Sequence, residues 1–310
     1  MTGERLRFGR YTVEVSSRDK VLFPGDGFTK GDLIEYYARI ADRMVPLVAG
    51  RPLSLERYPD GIERERVFQQ KVPQYFPGWI RRVEVRKHGG KLEHVVCENA
   101  ATLAYLANQA VVTPHAWLSR ADRPDHPDQL VFDLDPPDEG FEAARAAARS
   151  VRTLLDELGL PAFLKTSGGK GLHVVVPLDR EEDFGAVRSF ADEAAAELAR
   201  REPDRLTTEF RKAKREGRLF LDVGRNAYAQ TAVPPYAVRA RPGAPVATPI
   251  AWERLDDRRL RPGRFTIRTV FDHLDPDPWA GMRRQARSLR RARARLAAMV
   301  EDARERSRAT

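Results

Sequence analysis

Asp133 and Asp135 close the apolar run Leu130-Val131-Phe132 in the string L-V-F-D-L-D-P-P. Side chains alternate between faces along a strand, so residues two apart point the same way. The spacing therefore aims both carboxylates at one spot, and Pro136-Pro137 stop the ladder just beyond. Carboxylates held that close repel unless a cation lies between them. Hard oxygen donors of this kind suit Mg²⁺ or Mn²⁺. An acidic strand end facing solvent is the plain alternative.

A second string, Thr166-Ser167-Gly168-Gly169-Lys170-Gly171-Leu172-His173, falls between two strand-like segments. Its glycines let backbone N–H groups converge on an anion, and Lys170 adds charge. It lacks the G-x-x-x-x-G-K-[ST] spacing and leads into a strand, so it is not a Walker loop. A plain glycine hairpin is the competing reading, and a histidine placed like His173 is, taken alone, more often a satisfied core residue than a ligand. Asp222, in R-L-F-L-D-V-G, ends another apolar strand. As a third carboxylate it would complete a two-metal site for displacement at phosphorus; Arg225 and Arg239 downstream could hold a triphosphate or, in so arginine-rich a chain, be ordinary surface residues.

The elements that must position these groups alternate strand and helix. Thr29 as N-cap with Asp32 at N3 opens a helix whose apolar positions run from Leu33 to Leu47. Strands are expected around Leu53–Tyr58, Val67–Val72, Val83–Arg86 and Leu92–Cys97, the last two joined by the hairpin turn Lys87–Lys91. A buried helix is expected over Asn99–Ala110 and a linker over Ser119–Gln129. The second half then reads strand, helix Phe141–Leu158, strands Ala162–Thr166 and Leu172–Leu178, helix Phe184–Arg200, strand Arg218–Val223. An arginine-rich helix is expected from about Trp279. Early hairpins with later helical crossovers predict an α+β fold rather than a regular βαβ series.

Composition bounds the partners. The segment from Trp279 onward carries ten arginines against Glu301, Asp302 and Glu305, so it holds +7 of the net +9. The body is near neutral, and the overall charge is weak evidence for nucleic acid. Arginine outnumbers lysine 45 to 9, which makes individual lysines the more informative cations. The single cysteine, Cys97, excludes an internal disulfide and fits a reducing compartment. There is no signal-like apolar leader and no run of membrane-spanning length. A soluble cytoplasmic protein is expected.

The combination of Asp-x-Asp on a strand, Ser-x-x-x-x-x-His after a glycine loop and a third strand aspartate resembles the archaeo-eukaryotic primase superfamily. More narrowly, it resembles the polymerase domain of bacterial DNA ligase D and its stand-alone relatives in non-homologous end joining. The strings D-K-V-L-F-P (19–24), E-R-Y-P-D-G (56–61), V-F-D-L-D-P (131–136), T-S-G-G-K-G-L-H (166–173) and D-P-W (277–279) carry the likeness over about Val15 to Trp279. The resemblance implies a primase-polymerase-like core of mixed and antiparallel sheets flanked by helices. It would be one domain over 1–300, with a DNA-binding half (1–120), a catalytic half (128–278) and a basic tail (279–310).

The same resemblance implies that Asp133, Asp135 and Asp222 bind two Mn²⁺ or Mg²⁺ ions. Ser167, Gly168, Lys170, His173, Arg225 and Arg239 would hold the triphosphate of an NTP or dNTP, and His115 would lie beside its sugar or base. Lys20 and Lys30 would meet a 5′-phosphate at a DNA gap or end, and Arg57 and Phe68 the template strand. Lys212 and Arg215 match a mobile loop before the third aspartate, and the Lys87–Lys91 tip a loop that joins DNA ends. The chain departs from the pattern at Ser17, where asparagine is usual, at Val67, where an aromatic is usual, and at Gln70, where lysine is usual. These departures touch the DNA end and leave the acidic set intact.

The implied reaction is nucleotide addition to a primer 3′-hydroxyl at gaps, overhangs or double-strand breaks. Ku and a DNA ligase would act in trans or on further sequence, since no K-x-D-G ligase string is present. Other readings weighed were a haloacid-dehalogenase-like phosphatase, a D-x-D glycosyltransferase, and a non-catalytic DNA-end-bridging module that kept the fold.

Overall fold

The computed structural model describes residues 4–87, 89–137 and 140–308. The chain begins with an antiparallel hairpin, β1 (Glu4–Phe8) with β2 (Tyr11–Val15), and a small pair, β3 (Val21–Phe23) with β4 (Phe28–Thr29). Helix α1 (Lys30–Arg39) starts on the expected capping box: Thr29 accepts from the Asp32 amide, and the Asp32 carboxylate accepts from the Thr29 amide. Such a cap is worth about 1 kcal/mol. The apolar stripe expected as one helix breaks at Ile40, and α2 (Ala41–Val48) continues it.

The first sheet comprises β5 (Pro52–Arg57), β6 (Val67–Gln69), β7 (Arg82–Lys87), β8 (Gly90–Val96), β9 (Val111–Trp117) and a late strand introduced below, with α3 (Ala100–Asn108) between β8 and β9. The strand expected over Val67–Val72 is thus only three residues long. Strand β9, which carries His115, was not anticipated. Its seven residues include Pro114 and lie almost wholly buried, so they show none of the alternation that marks a half-exposed strand. Residues Ser119–Gln129 are no linker: β10 (Ser119–Arg120) and β11 (Arg123–Pro127) pair antiparallel within them.

The second sheet is built on β12 (Gln129–Asp135), followed by α4 (Phe141–Leu158), β13 (Phe163–Thr166), β14 (Leu172–Pro177), α5 (Phe184–Arg201), β15 (Leu206–Thr207), β16 (Leu219–Asp222), β17 (Thr231–Ala232) and β18 (Pro249–Ile250). Its order is β15-β16-β12-β14-β13-β18, antiparallel except for β15 beside β16. β17 leaves this sheet to pair with β9 in the first, which brings the two sheets together at one place. Phe132, Leu134, Val174 and Val176 pack one face of the second sheet against Ala144, Val151, Phe190 and Ala194 of α4 and α5. Residues two apart share that face, so Asp133 and Asp135 are turned to the opposite one.

The basic helix α6 (Arg290–Arg308) begins later than expected. Trp279 precedes it and is buried, meeting Phe163 edge-on and donating its indole N–H to the Leu164 carbonyl at 2.9 Å. The segment therefore closes the second sheet before the arginine-rich helix starts. Ala292 and Leu296 of α6 join the core, while most of its arginines face solvent.

Candidate active site

Strand register builds the site. Asp133 is paired with Asp222 across β12 and β16 and with His173 across β12 and β14. His173 is in turn paired with Lys165 across β13. Paired residues project to the same side, so Lys165, His173, Asp133 and Asp222 form one row across four strands. Asp135, two residues on, stands on the same face, opposite Phe220.

One cavity of about 110 Å³ opens where this row meets the first sheet, lined by His115, Asp133, Asp135, Ser167, Lys170 and His173, and by Arg225, Arg239 and Arg241. Expected acidic, phosphate-binding and sugar-side residues thus meet in a single cleft. Gly168 does not line it. Its φ is +64°, and a Cβ there would meet Arg239 Cγ at 2.8 Å, so glycine lets the loop fold against the arginine. The Ser167 hydroxyl accepts from the amides of Gly169 and Gly171, both at 3.1 Å, and Arg239 donates to the Ser167 carbonyl at 3.2 Å. At Gly171 an added methyl would overlap the Leu134 carbonyl oxygen and sit 2.8 Å from the Asp135 carboxylate. Only glycine brings the loop this close to the acidic strand.

The acids differ in their surroundings. Asp133 is buried, with His173 Nε2 at 3.4 Å and Arg225 Nε at 3.9 Å. Burial pushes its carboxyl up, but His173, Arg225 and Lys165 outweigh this and hold it below the ordinary range. Burial, then the charges of Asp133 and Asp222, push Asp135 up to about 6. Asp222 does not line the cleft: its Oδ1 accepts from the Gly224 amide at 2.8 Å. Among the described residues no group of three or more His, Cys, Asp or Glu side chains is arranged so that together they could hold a metal ion. Nevertheless Asp133 Oδ1 is buried without a hydrogen bond, and three mutually repelling carboxylates share one face. Hard carboxylate oxygens gathered on one face are the donor type that suits divalent cations of the Mg²⁺ or Mn²⁺ kind.

Lys165 was missed in the sequence. It is 2% exposed, its Nζ has no hydrogen-bond partner, and burial depresses it to about 7. The signal was present as one lysine inside the apolar string F-L-K-T in a lysine-poor chain, but only the register with His173 shows where it points. His173 is also buried, and burial followed by the Lys165 charge lowers its pKa, favouring the neutral ring.

Glu56 was missed too. His115 Nε2 lies 3.0 Å from Glu56 Oε2, and Tyr58 donates to Glu56 Oε1 at 3.0 Å. Burial works to raise Glu56, yet these bonds and the neighbouring charges bring it down to about 2. His115 is itself lowered by burial despite that carboxylate. The Phe68 ring, half-exposed, packs edge-on to His115 at 5.7 Å.

The remaining expected DNA contacts are spread over the surface near these elements. Lys20 pairs with Asp60 at 2.7 Å. Lys30 is buried and reaches Ser16 Oγ at 3.4 Å, and its backbone N–H donates to the Lys20 carbonyl, so the two lysines are neighbours. Arg57 donates to the Gln109 carbonyl, to Gln69 and to exposed Tyr75. Lys212 is exposed, whereas Arg215 is tied down over Phe220. His88, within the expected end-joining tip, lies outside the described residues.

An antiparallel sheet and a mixed sheet flanked by helices, with an acidic row beside a glycine–lysine loop, define an α+β domain of primase-polymerase type. Residues 29–279 match the family model for the LigD primase-polymerase domain, and the chain belongs to that family. It is 36% identical over 259 residues to the multifunctional non-homologous end joining DNA repair protein LigD of Mycobacterium tuberculosis, covering 80% of this chain and 34% of that one. It is 34% identical over 273 residues to the multifunctional LigD of Pseudomonas aeruginosa (86% and 32%) and 32% identical over 264 residues to the bifunctional LigD of Bacillus subtilis (84% and 42%). The chain therefore spans between about a third and two fifths of these relatives. The solved polymerase domain from M. tuberculosis ligase D in complex with DNA superposes with a TM-score of 0.83 at 33% identity, covering 88% of this chain and 99% of that one. Family membership leaves no place for the phosphatase and glycosyltransferase readings.

No helix of the described residues is long and apolar enough to cross a membrane.

Proposed function

We propose that this chain is a nucleotidyltransferase that adds NTPs or dNTPs to a primer 3′-hydroxyl at DNA gaps, overhangs or broken ends. The observation that carries the reading is Asp133 in register with both Asp222 and His173, beside the Ser167–Gly171 loop in one cleft. Asp133, Asp135 and Asp222 would hold two divalent ions, Mn²⁺ or Mg²⁺. When bound, such ions lower the pKa of an attacking hydroxyl and offset charge on a leaving pyrophosphate.

The chain's own groups supply the rest. The loop held by Ser167, with Lys170, His173, Arg225, Arg239 and Arg241, forms a cationic cradle for a triphosphate. Glu56 fixes the His115 ring, so its remaining nitrogen has one orientation toward the sugar or base. Phe68 offers a half-exposed ring beside it, suited to stacking on a template base. Lys20 and Lys30, brought together by the Lys20 carbonyl, suit a 5′-phosphate, and Arg57 and Lys212 suit the DNA strands, whereas the donors of Arg215 are taken up by its own loop.

DNA as partner is supported by the DNA complex of the M. tuberculosis ligase D polymerase domain. Ku and a ligase acting in trans or on further sequence, in a nucleoid setting, fit relatives that are named multifunctional end-joining proteins and are far longer than this chain. Primer extension on a gapped duplex with Mn²⁺, comparing NTP with dNTP, tests the reading. Incorporation opposite the template is expected. DNA binding without incorporation under any of these conditions would instead leave a bridging module.

A further inference from the structure

We propose that Phe210 is the stacking platform for the 3′-terminal nucleobase of the strand being extended, an inference that rests on the nucleotidyl-transfer reading above. Phe210 is 78% exposed, more than any other large apolar side chain described as exposed. Its surroundings are nonetheless ordered. Arg215 donates to the carbonyls of Phe210 (2.7 Å) and Glu209 (3.1 Å). The same guanidinium lies 4.2 Å from the centroid of Phe220, and the Phe210 ring meets Phe220 edge-on at 6.2 Å. Arg215 thus spends its donors on fixing the Phe210 backbone, and the aromatic ring is the group left facing outward.

Register says where that ring stands. Phe220 is paired with Asp135 and is two residues before Asp222, so it shares the acidic face. The two neighbours of β12 divide the labour: β14 and its preceding glycine loop lie on one side, β16 on the other. Displacement at phosphorus places the attacking and leaving oxygens roughly in line. With the Ser167–Gly171 loop and His173 on the β14 side receiving the leaving pyrophosphate, and Arg225 reaching the same cleft from beyond β16, the open approach for the attacking hydroxyl is along the β16 side. The terminal nucleotide that bears this hydroxyl then lies beside Phe220 and Phe210. Arg211, Lys212 and Lys214, which follow Phe210 closely in the chain, are exposed. A flat apolar face flanked by cations matches a base and its phosphates, and every base offers a π-face.

A gapped duplex carrying 2-aminopurine at the primer 3′ end tests this, since stacking quenches its fluorescence. In Mn²⁺ without nucleotide, the wild-type protein should quench the probe. Phe210→Ala should abolish the quench and weaken primer-terminus binding roughly tenfold or more. Phe210→Trp should restore both. In extension assays Phe210→Ala should raise KM for primer and leave KM for the nucleotide unchanged. No quench by the wild-type protein at saturation, or an equal quench by Phe210→Ala, overturns the proposal. A Phe210-dependent quench without any extension by the wild type would uphold the platform while ending the catalytic reading, so the two stand or fall separately.

Discussion

Asp133 stands directly across the strand pair from Asp222, though 89 positions separate them in the chain. Their shared face, not their individual exposure, makes them one unit. Groups acting as a unit give non-additive losses. Asp133→Asn and Asp222→Asn should each reduce nucleotide addition to background, and the double variant should be no slower than either alone. Single-turnover extension rates of the three proteins check this; a double variant worse by the product of the two losses would mean separate roles.

Lys165 sits in the same row without a hydrogen bond. Replacing a buried, unpaired cation with an apolar side chain of similar length often costs no stability. Lys165→Met should melt at the same temperature as the wild type or higher, while nucleotide addition falls roughly 10–100-fold, as when groups behind a functional set are removed. Thermal melts and extension kinetics on one preparation decide it. Full activity would make Lys165 a mere passenger.

Gly171 has no room for a side chain against the Leu134 carbonyl, whereas Gly25 has nothing within 4 Å of its missing Cβ. Gly171→Ala should destabilise by about 1–3 kcal/mol or more, the range for overpacking, and weaken nucleotide binding. Gly25→Ala should do neither. Denaturant midpoints for both variants provide the comparison.

Glu56 is lowered to about 2 in the folded protein, against about 4.3 for a free side chain. A depressed carboxylate stabilises the fold above its unfolded pKa, and that contribution is lost as pH falls through the folded value. Glu56→Gln should therefore be less stable than the wild type at pH 7. The gap should shrink between about pH 4.3 and 2. Urea melts across that range test the sign. A gap constant with pH would show that the His115 and Tyr58 contacts do not depend on the charge.

Much of this site was legible because its parts are local. Asp133, Asp135, Ser167 and Lys170 lie in short strings whose period-two spacing or glycine content implies a geometry by itself, whereas His173 gains meaning only from its neighbours. The capping box at Thr29 and the two long helices of the second sheet were legible for the same reason. What was not legible depends on pairing between distant segments. Lys165 and Glu56 become meaningful only through their partners across strands, and β9 is buried on both faces, so no alternation betrays it. The β10–β11 hairpin was hidden because its proline- and aspartate-rich composition is that of a linker. Family likeness, not spacing, pointed to Arg215 as a DNA contact; the coordinates spend its donors on its own loop.

If the acidic row is the proposed catalytic centre, removing one of its carboxylates ends nucleotide addition. Extension of a gapped, 5′-phosphorylated duplex by Asp133→Ala, with DNA affinity measured alongside by fluorescence anisotropy, tests it most directly. The expected result is no nucleotide addition with Mn²⁺ or Mg²⁺ at near-wild-type DNA affinity; addition at the wild-type rate would contradict the assignment.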